Sequence, residues 1–204
     1  MKFPNRTYTS VSDYLDGYKQ EYTRAMESVD ASLLQVVVDL FEKTYIQGSK
    51  AIVCGNGGSA ADAQHLAAEM LVRLRPKYNR EGIPAIALAQ DISTITACGN
   101  DFGYQYLYQR MVQSLGKSGD VLIAITTSGN SENVILAMKA AKDMGILVFG
   151  FLGGDGGIAL NYCDEVFIVP SFETGRIQES HITAGHALME YIEDQLIKDN
   201  YLHL

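Results

Sequence analysis

From residue 50 onward the chain alternates short, continuous apolar runs with longer stretches of helical period. No other feature constrains the fold as tightly. The runs are Ala51–Cys54, Pro84–Leu88, Asp120–Ile125, Ile146–Phe151 and Glu165–Val169. Runs this short and this uniformly apolar read as strands of a parallel sheet covered on both faces. The stretches Ser59–Leu74, Tyr104–Ser114, Glu132–Met144 and Gln178–Lys198 read as helices. The segment between Leu88 and Tyr104 receives no element. The expected fold class is therefore α/β, with a doubly wound five-stranded parallel sheet. Residues 9–47 read as two helices ahead of it, with Ser10 or Ser12 capping the first and a break at Ser28–Ala31. The second carries Leu33, Leu34, Val37, Leu40 and Phe41 at helical spacing. No turn-rich linker follows, so residues 1–204 are read as one domain. Residues 1–48 supply an apolar stripe that the core or another subunit must cover.

Length and charge narrow the function. A chain of 204 residues is long enough to bury a sheet between helix layers. Its net charge of −8 and its lack of a basic run argue against a nucleic-acid surface. An acidic protein that binds an anion must supply local positive potential, from helix N-termini or a metal. The three cysteines, Cys54, Cys98 and Cys163, are scattered and form no CxxC pair, so they indicate neither a disulfide framework nor a thiolate metal site. Neither an apolar leader nor a stretch of 18 apolar residues is found, and a soluble cytoplasmic protein with no membrane partner is expected.

Two glycine-containing loops each join a strand to a helix. The first is Gly55-Asn56-Gly57-Gly58-Ser59. Its glycines permit positive φ and close approach of backbone N–H groups to a ligand, and the following helix aims its positive end at the same point. It lacks the Lys of a P-loop and fits the dinucleotide pattern only loosely. A plain turn with Ser59 as helix cap explains it equally well. The second, Thr126-Thr127-Ser128-Gly129-Asn130-Ser131, places hydroxyls and an amide at the C-terminal end of a buried parallel strand, where ligands of open α/β sheets bind. A cap needs one such residue; a phosphate has several oxygens to satisfy.

Further along the first helix, His65 and Glu69 stand at i and i+4, on one face. On the last helix, Gln178 and His186 share a broad face and His181 falls outside it. One His and one carboxylate from the first helix, with one His and one amide from the last, would make a four-ligand site for a divalent metal. The same groups suit acid–base chemistry on a sugar. The bland alternatives are a surface ion pair at His65–Glu69 and a satisfied core histidine at His186.

Taken together, Gly55 to His65, then Gly99-Asn100-Asp101-Phe102-Gly103, Thr127 to Ser131, and Arg176-Ile177-Gln178-Glu179 with His181 and His186 resemble the phosphoheptose isomerases. These are sugar-isomerase (SIS) domain enzymes that convert sedoheptulose 7-phosphate to glycero-manno-heptose 7-phosphate. The resemblance extends over nearly the whole chain. It implies a flavodoxin-like core, a homotetramer with active sites between subunits, one zinc ion per subunit and a role in nucleotide-activated heptose biosynthesis. The implied zinc ligands are His65, Glu69, Gln178 and His186. The implied substrate contacts are Asn56, Gly57, Gly58, Ser59, Glu69, Asn100, Asp101, Thr126, Thr127, Ser128, Ser131 and Gln178. Glu69 would be the base and His186 the partner acid. Thr126 departs from the serine of some members but keeps the hydroxyl. Two rival readings share the fold: a non-enzymatic regulator that binds the replication initiator, and a sugar-phosphate sensor. A regulator has no need of groups matching both Glu69 and His186.

Overall fold

The computed structural model describes residues 9–27, 31–88 and 90–203. A five-stranded, all-parallel sheet runs through it in the order β2-β1-β3-β4-β5. The strands are β1 (Ala51–Gly55), β2 (Ala85–Ala87), β3 (Val121–Thr126), β4 (Leu147–Gly153) and β5 (Glu165–Val169). The helices are α1 (Val11–Glu27), α2 (Ala31–Ile46), α3 (Gly58–Leu71), α4 (Ile92–Asp101), α5 (Leu107–Leu115), α6 (Glu132–Asp143) and α7 (Thr174–Lys198). The expected α/β class and strand set stand.

Side chains alternate across the sheet within each apolar run. Ala51, Val53, Val121, Ile123 and Ile125 face one core, built with α2, α3 and α7. Ile52, Cys54, Leu122 and Ala124 face the other, built with α5 and α6. Burial on both faces is why the interior positions of the runs are apolar, with polar residues such as Asp120 and Glu165 only at their ends. It also pushes the Cys54 thiol up to about 12, which leaves it inert.

Several boundaries differ from the sequence expectation: α3 ends at Leu71, not Leu74, and the expected start of α5 at Tyr104 is a 3-10 turn, Tyr104–Tyr106, with the helix itself beginning at Leu107. The unassigned stretch after Leu88 contains α4, whose β-branched residues Ile92, Thr94, Ile95 and Thr96 hide its helical character. Asp91 caps it, accepting from the backbone N–H groups of Ser93 (3.0 Å) and Thr94 (3.1 Å). α7 begins at Thr174, four residues ahead of the expected Gln178, because Gly175 obscures its first turn. A 3-10 turn, Ile158–Tyr162, follows β4. At the N-terminus, Ser10 is the cap of α1, accepting from the Asp13 backbone N–H at 3.1 Å. The expected break at Ser28–Ala31 falls largely outside the described residues, as do the side chains of Leu33 and Leu34. α1 and α2 both pack on α7. Among the described residues, no helix is long and apolar enough to cross a membrane.

His181 lies inside the first core, against Phe151 and Phe167, with Nε2 bonded to the Leu152 carbonyl at 2.9 Å. Burial depresses its pKa from 6.5 to about 4. Between those two values the unfolded chain binds a proton that the folded chain does not, so stability falls as pH drops through that window. The full loss is about 3 kcal/mol. Asp62, whose carboxyl burial pushes up to about 6, has the opposite slope over much of the same range. The clean measurement is therefore a difference: urea unfolding of wild type against His181→Gln from pH 6.5 to 4. The variant should lack the acid-side loss; parallel curves would contradict the assignment.

Candidate active site

Because β1 has β2 on one side and β3 on the other, the chain reverses direction between β1 and β3. The crevice beyond their C-terminal ends is the topological switch point of the sheet. Gly55 pairs in register with Ile125 there, so both glycine-containing loops leave the sheet side by side.

The first loop turns at Gly57, whose φ of 57° favours glycine, and α3 starts at the next residue with no side-chain cap. Ser59 lies buried inside the first turn and is not the cap, which removes the plain capping explanation of this loop. At the second loop, Ser131 occupies the N-cap position of α6 but makes no capping bond; its hydroxyl instead meets the Thr126 hydroxyl at 3.1 Å. Two helix N-termini with N–H groups free of side-chain caps therefore converge on the crevice, and such ends attract anions. The cavity between them has a volume of about 280 Å³. It is lined by Asn56, Gly57, Gly58 and Ser59 on one side and by Thr126, Thr127 and Ser131 on the other, with Thr174 and Gln178 of α7 closing it. No Lys or Arg is among these lining residues, so any anion there is met by backbone dipoles and hydroxyls.

Asn56 is fixed by a reciprocal amide pair with buried Asn133, both bonds at 2.8 Å, and by the Tyr104 hydroxyl at 2.8 Å. The second loop is held from behind. Gly129 has a φ of 64°, and a Cβ placed on it would come within 2.0 Å of the Gly156 carbonyl oxygen.

The second cluster lies where α3 packs on α7. Gly185 allows that contact: a Cβ there would meet Leu66 Cδ2 at 2.8 Å. His65 Nε2 and His186 Nε2 face each other at 2.9 Å, and Glu69 Oε1 stands 3.4 Å from His65 Nε2. Glu69 Oε2 lies 3.9 Å from His186 Nε2 and is buried without a hydrogen-bond partner. Donor atoms of all three residues lie within 4.8 Å of one another. Two imidazole nitrogens and a carboxylate with an unsatisfied buried oxygen fit a divalent metal ion by donor chemistry. Asp62 sits one turn before His65, and its Oδ2 is likewise buried without a partner.

The structure thus brings the sequence-derived residues into two groups. Asn56, Gly57, Gly58, Ser59, Thr126, Thr127, Ser131 and Gln178 line the cavity, and His65, Glu69 and His186 form the donor cluster. Gln178 stands against Gly58, about 12 Å along α7 from His186 by helical rise. Ser128 lines a neighbouring cavity with Asn130, Asp155 and Phe172. Asn100 and Asp101 lie in the last turn of α4, outside the loop cavity. Sequence reasoning gave no role to Asp62, Tyr104, Asn133 and Thr174. The spacing of Asp62, His65 and Glu69 at i, i+3 and i+7 carried a signal for the first; the contacts of Tyr104 and Asn133 with Asn56 join positions far apart in the chain.

The SIS domain family model matches residues 13–153. The phosphoheptose isomerase of Clostridium acetobutylicum is 50% identical over 163 residues, 80% of this chain and 82% of that protein. The phosphoheptose isomerase of Roseiflexus sp. is 42% identical over 200 residues, 98% of this chain and all of that protein. The structure of the phosphoheptose isomerase GmhA from Neisseria gonorrhoeae superposes with a TM-score of 0.83 at 37% identity, covering 91% of this chain and 100% of that one. The chain belongs to the SIS domain family and, within it, to the phosphoheptose isomerases.

Proposed function

We propose that the protein isomerises sedoheptulose 7-phosphate to D-glycero-D-manno-heptose 7-phosphate, supplying nucleotide-activated heptose biosynthesis. The observation that carries this reading is the pairing of an anion-binding crevice with a His–Glu–His cluster on α3 and α7. The relatives' names supply the substrate class. Neither the initiator-binding regulator nor the phosphate sensor needs the second cluster. Incubation with sedoheptulose 7-phosphate, scored for the heptose aldose phosphate, tests the proposal. No conversion, together with binding of the replication initiator, would overturn it in favour of the regulator.

In the proposed mechanism the phosphate is held by the N–H groups of the α3 and α6 N-termini and by the Ser59, Thr126, Thr127 and Ser131 hydroxyls, with Ser128 at the outer edge. This remote contact orients C1 and C2 against the acid–base groups. Glu69 removes a proton from C1 and returns it to C2, so one C–H bond breaks and another forms through a cis-enediol. His186 moves the hydroxyl proton from O1 to O2. Zinc bound by His65, Glu69, His186 and Gln178 would polarise the carbonyl oxygen. Gln178 reaches that set only by turning away from Gly58, so its roles as substrate contact and as ligand alternate. Asn100 and Asp101 are proposed to contact substrate in a neighbouring subunit's site.

Oligomerisation is supported by large apolar side chains left exposed on the helices around the sheet, among them Val11 (77%), Ile92 (76%) and Phe102 (51%). A homotetramer would cover them. Cytoplasmic placement is supported by the free thiols of Cys54, Cys98 and Cys163.

The phosphate role of the second loop predicts the effect of Gly129→Ala. Positive φ and the clash with Gly156 should destabilise the fold by roughly 2–5 kcal/mol in urea unfolding. KM for the sugar phosphate should rise at temperatures where the variant remains folded. An unchanged KM would count against phosphate binding at this loop.

A further inference from the structure

The last turn of α3, which carries Glu69, ends in carbonyls that no later helical N–H can reach. Arg80 fills that place. Its guanidinium donates to the Glu69 carbonyl at 2.8 Å and to the Met70 carbonyl at 3.0 Å. It also pairs, through Nε, with Glu193 of α7. The side chains of Arg80 and Glu193 are 2% and 1% exposed, so this is a buried pair and not a surface contact. The other Glu193 oxygen accepts from Arg75 Nε at 2.6 Å, and Arg75 is itself forked onto Asp194 at 2.6 and 3.0 Å. Two arginines and two carboxylates thus balance, leaving no uncompensated buried charge.

Glu193 lies about two turns beyond His186 on the same helix. The pair therefore joins the end of α3 to α7 at a point about 10 Å along α7 from His186. A generic tie would suffice to hold two helices together. This one grips the backbone of the residue whose carboxylate stands beside both imidazoles. We propose that the buried Arg80–Glu193 pair is a positioning device for the His65–Glu69–His186 cluster, fixing the Glu69 turn of α3 against the helix that carries His186. The proposal rests on the metal and base roles assigned above. The loop cavity begins at the opposite end of α3, at Gly58, so it should not feel the pair.

Arg80→Lys keeps the charge and loses the fork; Glu193→Gln keeps the shape and loses the charge. Each variant is compared with wild type below its own melting temperature, using Co2+ as the probe ion. Dissociation constants come from chelator competition, the coordination geometry from the visible spectrum, and kcat and KM from the isomerase assay. Arg80→Lys should weaken Co2+ binding by about 10–100-fold and alter the spectrum. Its kcat should fall while KM stays within about twofold. Glu193→Gln should move the same readouts in the same direction. Wild-type Co2+ affinity, spectrum and kcat in folded Arg80→Lys, with only the melting temperature lowered, would overturn the proposal in favour of a structural tie. If Arg80→Lys does not fold, Glu193→Gln decides by the same criteria. A wild-type protein that isomerises without binding Co2+ would overturn the metal reading instead, and the pair would then be judged on kcat against KM.

Discussion

Glu69→Gln is expected to abolish isomerisation while leaving the fold in place. The substitution removes one charge and changes almost no volume. Loss of a positioned general base costs about 10²–10⁴ in rate, and kcat should fall by that factor. KM should change little, because the cavity proposed to hold the phosphate lies at the other end of α3. The fold should survive because Glu69 stabilises little beyond the cluster: one carboxylate oxygen contacts His65 at 3.4 Å, and the other is buried without a partner. A buried carboxylate oxygen without a partner carries a desolvation cost, so its replacement costs the fold little. Melting temperature and kcat measured on the same preparation check both halves. Wild-type kcat would sink the base assignment.

The second large effect is that of metal removal. His65 and His186 hold their Nε2 atoms 2.9 Å apart beside the Glu69 carboxylate, which gathers three donors within 4.8 Å of one another. A cation that binds only the folded chain stabilises it by about 2.7 kcal/mol at 100 times its dissociation constant. For a domain of this size, that corresponds to a rise of about 5–10 °C in Tm. Chelation should lower Tm by this amount and stop turnover, and zinc should restore both. In His65→Ala, zinc should raise Tm much less. A chelated protein with unchanged Tm and full activity would contradict the metal site.

How far the sequence carried this reading depended on how local each signal was. The five strands were legible because burial on both faces forces continuous apolar runs such as Val121–Thr126. The two loops were legible because turns and hydroxyl clusters are local. Helix α4 was not, since Ile92, Thr94, Ile95 and Thr96 favour strands and only its Asp91 cap marks the helix. The His65–Glu69 pair is local to one helix, but its meeting with His186 is a tertiary fact, set by the small residue Gly185 and the packing of Leu66. Resemblance supplied that meeting before the geometry did. Asn100 and Asp101 show the reverse case: their motif is legible in the sequence, yet they lie on α4 outside the loop cavity.

In the proposed mechanism the Glu69 cluster moves a proton between two carbons of a phosphate-anchored sugar. The most direct measurement is conversion of sedoheptulose 7-phosphate in D2O by wild-type protein, with deuterium in the aldose product located by NMR. Glu69 is partly open to solvent, so the proton it takes from C1 exchanges with D2O while the enediol is bound. The account predicts deuterium at C2 of the product. Product formed at the normal rate with no deuterium at C2 would mean that hydrogen crosses directly from C1, and would contradict the account.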